Sequence, residues 1–166
     1  SMRSFARLDE AELKSVNIQD GLDDTVSLVQ HRLGDRIDLI REYDASDPIV
    51  CYPGRLNQVF LCILDNAIDA IDGKGSITIA TRREDDQLLV AITDSGQGIP
   101  AAKLDEVFQP GYTTKGVGVG TGLGLSICHQ IVHDHRGTIK ADSEIGKGTT
   151  LTTMLSYNFT GMGPGR

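Results

Sequence analysis

The sequence lacks any run of apolar residues long enough to cross a bilayer. The longest, Val59 to Leu64, is six residues, against the roughly 20 that a spanning helix needs. It also lacks an excess of positive charge: 16 Lys and Arg stand against 23 Asp and Glu, for a net charge of -7. That balance excludes an extended surface for nucleic acid or for an anionic membrane. Cysteine is scarce, and Cys51, Cys62 and Cys128 are widely separated without a CxxC pair. Such a set fits neither a disulfide framework nor a zinc site and points to a reducing, cytoplasmic setting. No N-terminal stretch joins basic residues to an apolar segment and a small-residue cleavage site, so no signal peptide is expected. Internal repeats and interdomain linkers are absent as well, and 166 residues suit one domain. A last absence is local. From Val107 to His133 there is no acidic residue, where the chain's average density would place about four.

What the chain has in surplus is glycine: 19 residues of 166, about 11% against roughly 7% in ordinary proteins. Eight of them fall between Gly96 and Gly124, overlapping the acid-free stretch. Around that region the pattern is regular. Ile18, Leu22, Val26, Val29 and Leu33 predict an amphipathic helix stopped by Gly34. Ile37 to Tyr43 reads as a short strand, and Asp44 to Pro53 as a loop. From Leu56 to Ile71 a broad apolar stripe predicts a second helix. Ser76 to Arg83 and Gln87 to Asp94 form one antiparallel hairpin, and Gly137 to Ser143 with Thr149 to Ser156 a second. Between them lie a short helix, Ala101 to Val107, and a helix from Gly122 to about His135. The expected fold class is α+β: a two-layer α/β sandwich whose mixed, mostly antiparallel sheet carries about three helices on one face.

Three features converge on a bound polyphosphate. The helix over Leu56 to Ile71 places Gln58, Cys62, Asn66 and Asp69 along one edge. Asn66 is a poor helix former whose amide oxygen suits Mg²⁺, a cation that takes oxygen ligands and keeps waters and phosphates in its other positions. Next, a strand with Leu88, Val90 and Ile92 on one face delivers Asp94 to that same face. A carboxylate there can accept a hydrogen bond from an exocyclic amine such as that of adenine, and Gly96 and Gly98 allow close backbone approach to a flat ring. Last, the stretch from Gly111 to Gly124 leads straight into a helix, so its backbone N–H groups and the helix dipole favour an anion. Lys115 is its one strong cation.

In order and content these motifs resemble the ATP-binding catalytic domain of bacterial sensor histidine kinases, in the GHKL superfamily with its Bergerat fold. Asp65-Asn-Ala-Ile-Asp-Ala70 resembles the asparagine box, and Asp94-Ser-Gly-Gln-Gly98 the first glycine box. Val107-Phe-Gln-Pro110 resembles the phenylalanine box, Thr121-Gly-Leu-Gly-Leu125 the second glycine box and Gly146-Lys-Gly-Thr149 the last. The resemblance implies ATP and Mg²⁺ as cofactors. Asn66 would ligate Mg²⁺, and Asp94 would bind the adenine amine with Gly96, Gly98 and Ile99 beside the ring. Gly120, Thr121, Gly122, Leu123 and Gly124 would contact phosphates, with Lys115 reaching them from a glycine-rich ATP lid. Tyr112 would join the nucleotide site, Thr149 would reach adenine through water, and Phe108 would anchor the lid. Asn66 and Lys115 would carry the chemistry. Two positions depart from the family pattern. Cys62 stands where many kinases carry a second Asn, and Asp69 where many place a phosphate-binding Lys.

The phosphoacceptor of such kinases is a His on a separate helical hairpin. None of the four histidines here has its sequence context. His31 sits inside the first helix and reads as structural or exposed. His129 and His133 are four apart, but Gln130 stands where a zinc protease needs Glu. The resemblance therefore implies a connector from that hairpin over residues 1–14, the ATP-binding domain over 15–157 and a flexible tail over 158–166. Its implied partners are the dimerisation hairpin of the same kinase and a response-regulator receiver domain, with the isolated domain monomeric. Two other functions are open: a GHKL ATPase acting as a conformational switch, and a degenerate nucleotide-binding scaffold. The switch needs a general base four residues before Asn66, where Cys62 stands. The reversed charge at Asp69 favours the scaffold.

Overall fold

A computed structural model describes residues 12–109 and 124–162, and its helices start and stop for local reasons. Helix α1 (Ile18–Leu33) begins at Asn17, whose side chain accepts the Gln19 N–H at 3.0 Å. It ends at Gly34, where φ is +51°, a conformation that costs glycine little. The predicted stripe Ile18, Leu22, Val26, Val29 and Leu33 is buried throughout.

Helix α2 (Pro53–Ala70) starts three residues before the apolar stripe. Pro53 belongs to the helix rather than to the preceding loop, because proline is preorganised for the first helical turn, where its missing N–H costs nothing. Leu56, Val59, Phe60, Ile63, Leu64, Ala67 and Ile68 form its buried face. The short helix expected at Ala101 to Val107 is a 3₁₀ helix, Ala101–Glu106, with no buried residue of its own. Helix α3 (Leu125–Asp134) is shorter than the expected Gly122 to His135 and buries Cys128, Ile131 and Val132.

The sheet has five strands: β2 (Ile37–Asp44), β4 (Gly75–Glu84), β5 (Gln87–Asp94), β6 (Thr138–Glu144) and β7 (Gly148–Ser156), in the order β2-β4-β5-β7-β6. Only the β2–β4 pair is parallel. Strict alternation sends Ile77 and Ile79, then Leu88, Val90 and Ile92, then Leu151 and Leu155 into one core with the three helices. This is the mixed, mostly antiparallel two-layer α+β arrangement that the residue pattern predicts.

Two expectations need correction. The segment Asp44 to Pro53 is not all loop: β3 (Ile49–Cys51) pairs antiparallel with β1 (Lys14–Val16), with Ser15 opposite Val50. Three-residue strands are too short to show a period, so the pairing left no sequence signal. Residues 158–162, expected in the flexible tail, are held. Phe159 is buried against Tyr52 and His135, and Tyr52 Oη accepts the Met162 N–H at 3.2 Å.

Candidate functional site

Strand β5 carries Leu88, Val90 and Ile92 inward and ends by burying Asp94, which is 7% exposed. Its Oδ1 accepts the Gly96 N–H at 2.8 Å, and the backbone N–H of Thr149 donates to the same carboxylate. Burial pushes the carboxyl up from its ordinary value, and these two bonds partly hold it down.

The turn beyond Asp94 is clamped from two sides. Gln97 donates its N–H to the carbonyl of Ala70, in the last turn of α2, at 3.0 Å, and its own carbonyl accepts the Gly146 N–H at 2.9 Å. A Cβ on Gly96 would strike the Ala70 carbonyl. At Gly98, φ is +80° and a Cβ would strike the Glu144 carbonyl. The sequence offered approach to a flat ring as the reason for these glycines, but the protein's own backbone already demands them. Gly148 is equally constrained: with φ at +126°, its Cβ would meet the Asp94 carbonyl.

Thr149 lies opposite Asp94 in the β5–β7 register. Its hydroxyl is 2.7 Å from the Ser143 hydroxyl, whose oxygen also accepts the Ile99 N–H at 2.7 Å. Ser143 thus links Ile99 to Thr149. The sequence reading missed it, because a serine facing inward at the end of β6 leaves no motif.

On α2, the expected polar edge is interrupted. Cys62 is 1% exposed and contributes to the core, where its thiol is hydrogen-bonded with Cys128 of α3. That bond, together with burial, pushes the Cys128 thiol up. Asn66 is half-buried, and its Nδ2 donates to Cys62 Sγ at 3.8 Å. The thiol takes the amide's NH₂ end, which leaves the oxygen, the donor a hard cation prefers. Ala70, clamped to the Asp94 turn, lies one helical turn past Asn66, so the fold brings Asn66, Asp94, Gly96, Gly98, Ile99 and Thr149 to one end of α2 and the neighbouring ends of β5 and β7.

Asp69 is not an isolated reversed charge. Arg32, in the last turn of α1, ion-pairs with Asp65 through Nη1 and with Asp69 through Nη2, the second at 2.5 Å. Across the site, Phe108 packs against the core with its ring 5.6 Å from that of His129. Gly124 caps α3 in an extended conformation, accepting the Ile127 N–H at 3.1 Å. Tyr112, Lys115, Gly120, Thr121, Gly122 and Leu123 lie outside the described residues.

Among the described residues no cluster of three or more His, Cys, Asp or Glu could hold a metal. The donor set is one amide oxygen beside two carboxylates already engaged by arginine. That fits Mg²⁺ carried mainly by phosphates and water, and it does not fit a cage built wholly by protein. Nor is any helix among the described residues long and apolar enough to cross a membrane.

Comparison with known proteins follows the same lines. A family-wide sequence profile described as "Histidine kinase-, DNA gyrase B-, and HSP90-like ATPase" matches residues 51–158. The sensor histidine kinase ZraS of Escherichia coli K12 is 38% identical over 155 residues, which are 92% of this chain and 33% of that protein. Sporulation kinase E of Bacillus subtilis 168 is 42% identical over 121 residues, 72% of this chain and 16% of that one. The chain thus spans a third or less of these relatives. Among solved structures, the nucleotide-free catalytic domain of the histidine kinase ThkA superposes with a TM-score of 0.80 at 29% identity, over 88% of this chain and 96% of that one. ThkA in complex with the response regulator TrrA superposes at 0.76 and 26% identity, over 88% of this chain and 42% of that one.

Proposed function

This chain belongs to the histidine kinase-, DNA gyrase B- and HSP90-like ATPase family, and on that premise we propose that it is the ATP-binding catalytic domain of a two-component sensor histidine kinase. It binds ATP with Mg²⁺ and donates the γ-phosphate to a histidine on a separate dimerisation hairpin. The phosphate then passes to the receiver domain of a response regulator. The setting is the cytoplasm, and the isolated domain is a monomer.

One observation carries the reading: a buried carboxylate, Asp94, sits in a turn pinned against α2 one helical turn from Asn66. Asp94 accepts the adenine amine while its turn, fixed by Gly96, Gly98 and Ile99, holds the ring edge, and Thr149 completes the hydrogen bonding through water. Asn66 holds Mg²⁺ through its amide oxygen. The bound cation supplies charge neutralisation for the triphosphate. Lys115 and the backbone of Gly120 to Gly124 bind phosphates, and Phe108 anchors the glycine-rich lid. Such a transfer needs little covalent chemistry from the protein; positioning and charge dominate. The ATPase-switch alternative is weakened at its base, since position 62 holds a buried cysteine rather than a carboxylate.

Calorimetry with a non-hydrolysable ATP analogue and Mg²⁺ tests the reading. The wild type is expected to bind, and Asp94→Asn, which turns an acceptor toward donation, is expected to bind at least about tenfold more weakly. A folded wild type that gives no heat, or equal binding by the variant, overturns the adenine assignment.

A further inference from the structure

Two carboxylates flank Asn66 on α2, one on the residue before it and one three residues after. In a site meant for a triphosphate they are misplaced charges. Asp65 is 6% exposed in its side chain, so its charge is poorly screened, and Asp69 is 26% exposed. They are four residues apart and therefore neighbours on one helix flank, where like charges repel each other. Both are engaged by one residue, Arg32, which comes from a different helix and from 33 and 37 residues away in sequence. The guanidinium is suited to this, since each of its terminal nitrogens can donate to a separate acceptor while the positive charge is shared across the plane.

We infer that Arg32 is a positioning residue for the nucleotide site: by bridging Asp65 and Asp69 it fixes the helix segment that carries Asn66 and offsets the negative charge beside the triphosphate. The inference rests on the ATP reading above and deepens it. It accounts for the reversed charge at position 69, because the cation missing from α2 is supplied from α1 and the local sum at Arg32, Asp65 and Asp69 is -1 rather than -2. Asp69 is then a tether for an arginine and no mark of a degenerate site. Its consequence is electrostatic as well as mechanical, so it separates from a plain packing role by its dependence on ligand charge and on salt.

The experiment measures affinities of the folded chain, residues 1–166, for adenosine, ADP and a non-hydrolysable ATP analogue, the nucleotides with Mg²⁺, at low and high salt. Arg32→Met is expected to weaken the ATP analogue about tenfold at low salt and adenosine hardly at all. Asp69→Asn alone is expected to strengthen the ATP analogue severalfold, and Arg32→Met with Asp69→Asn, which restores the charge sum but not the bridge, to regain most of the loss. The loss in Arg32→Met and the gain in Asp69→Asn both shrink when salt shortens the screening length to about 3 Å at 1 M. Equal loss for adenosine and the ATP analogue, or a double variant as weak as Arg32→Met, would show packing alone and overturns the inference. If Arg32→Met does not fold, Asp69→Asn and Arg32→Lys decide. Arg32→Lys keeps the charge without the fork, and is expected to bind between wild type and the tenfold loss; unchanged affinity in both variants overturns the inference. Failure of wild type to bind any of the three ligands sinks the ATP reading itself, which is a different result.

Discussion

Once Leu88, Val90 and Ile92 face the core, the pleat obliges Asp94 to face it too. A carboxylate that must be buried asks for a partner, and the chain supplies backbone donors at Gly96 and Thr149. The glycines around it were legible as a cluster but not in their purpose. Gly98 combines a φ of +80° with a neighbouring Glu144 carbonyl that leaves no room for a methyl group. Gly98→Ala is expected to cost about 2 to 4 kcal/mol, the sum of a left-handed backbone penalty and forced displacement of the β6–β7 turn. Gly146→Ala in the same turn, where φ is +83° but the space is open, is expected to cost only the backbone share, about 1 to 2 kcal/mol. Urea unfolding of the two variants side by side separates crowding from conformation; equal losses would put the close contact at Gly98 in error. Arg32 and Ser143, by contrast, gave no signal at all, because their partners lie far off in sequence and neither residue type is unusual where it stands.

At the scale of elements, α1, α2 and the two hairpins followed from period and turn chemistry, while β1 and β3 did not, since three residues carry no period. The end of α3 shows what tertiary packing adds. His135 follows the helix and is 1% exposed. Its Nδ1 lies 2.8 Å from the Ile131 carbonyl and its Nε2 accepts the Tyr52 N–H at 3.0 Å, a pattern that only the neutral ring can make. Burial lowers its pKa below the ordinary 6.5, with the backbone bond to Ile131 opposing, Arg55 adding to the fall and Asp134 opposing it. The unfolded chain therefore takes up this proton first as pH falls, so stability is complete above the unfolded value and declines below it. The decline is expected to reach at most about 1.4 kcal/mol per pH unit while the folded ring stays neutral. Thermal unfolding between about pH 7 and about pH 5 checks this, with His135→Gln as the comparison. The variant should be less stable at neutral pH but show a shallower slope; parallel slopes would mean that other groups carry the acid sensitivity. The same histidine packs on Phe159, so removing residues 159–166 should lower stability even though the sequence reads as a tail.

For the whole molecule, the distribution of histidines decides what the chain can do alone. His31, His129 and His133 are exposed on helices and His135 is buried with both nitrogens engaged; none has the sequence context of a phosphoacceptor. Incubated with γ-labelled ATP and Mg²⁺, the chain by itself is therefore expected to acquire no acid-labile label. Mixed with a dimerisation hairpin bearing the acceptor histidine, it is expected to transfer label to the hairpin. The rate should then obey the arithmetic of separated parts. A tether holds two modules at an effective concentration of order millimolar, so at micromolar concentrations transfer in trans should run about a hundred- to a thousandfold more slowly than in a covalently joined kinase. It should also rise linearly with hairpin until the two associate. Substituting Asp94 by Asn should slow transfer at low ATP and recover at saturating ATP, because the role proposed for that residue is to bind the base and leaves the migrating phosphate untouched. Release of free phosphate at the same rate with and without hairpin would instead identify a nucleotide-driven switch, and label retained on the chain would mean that one of its own four histidines is the acceptor.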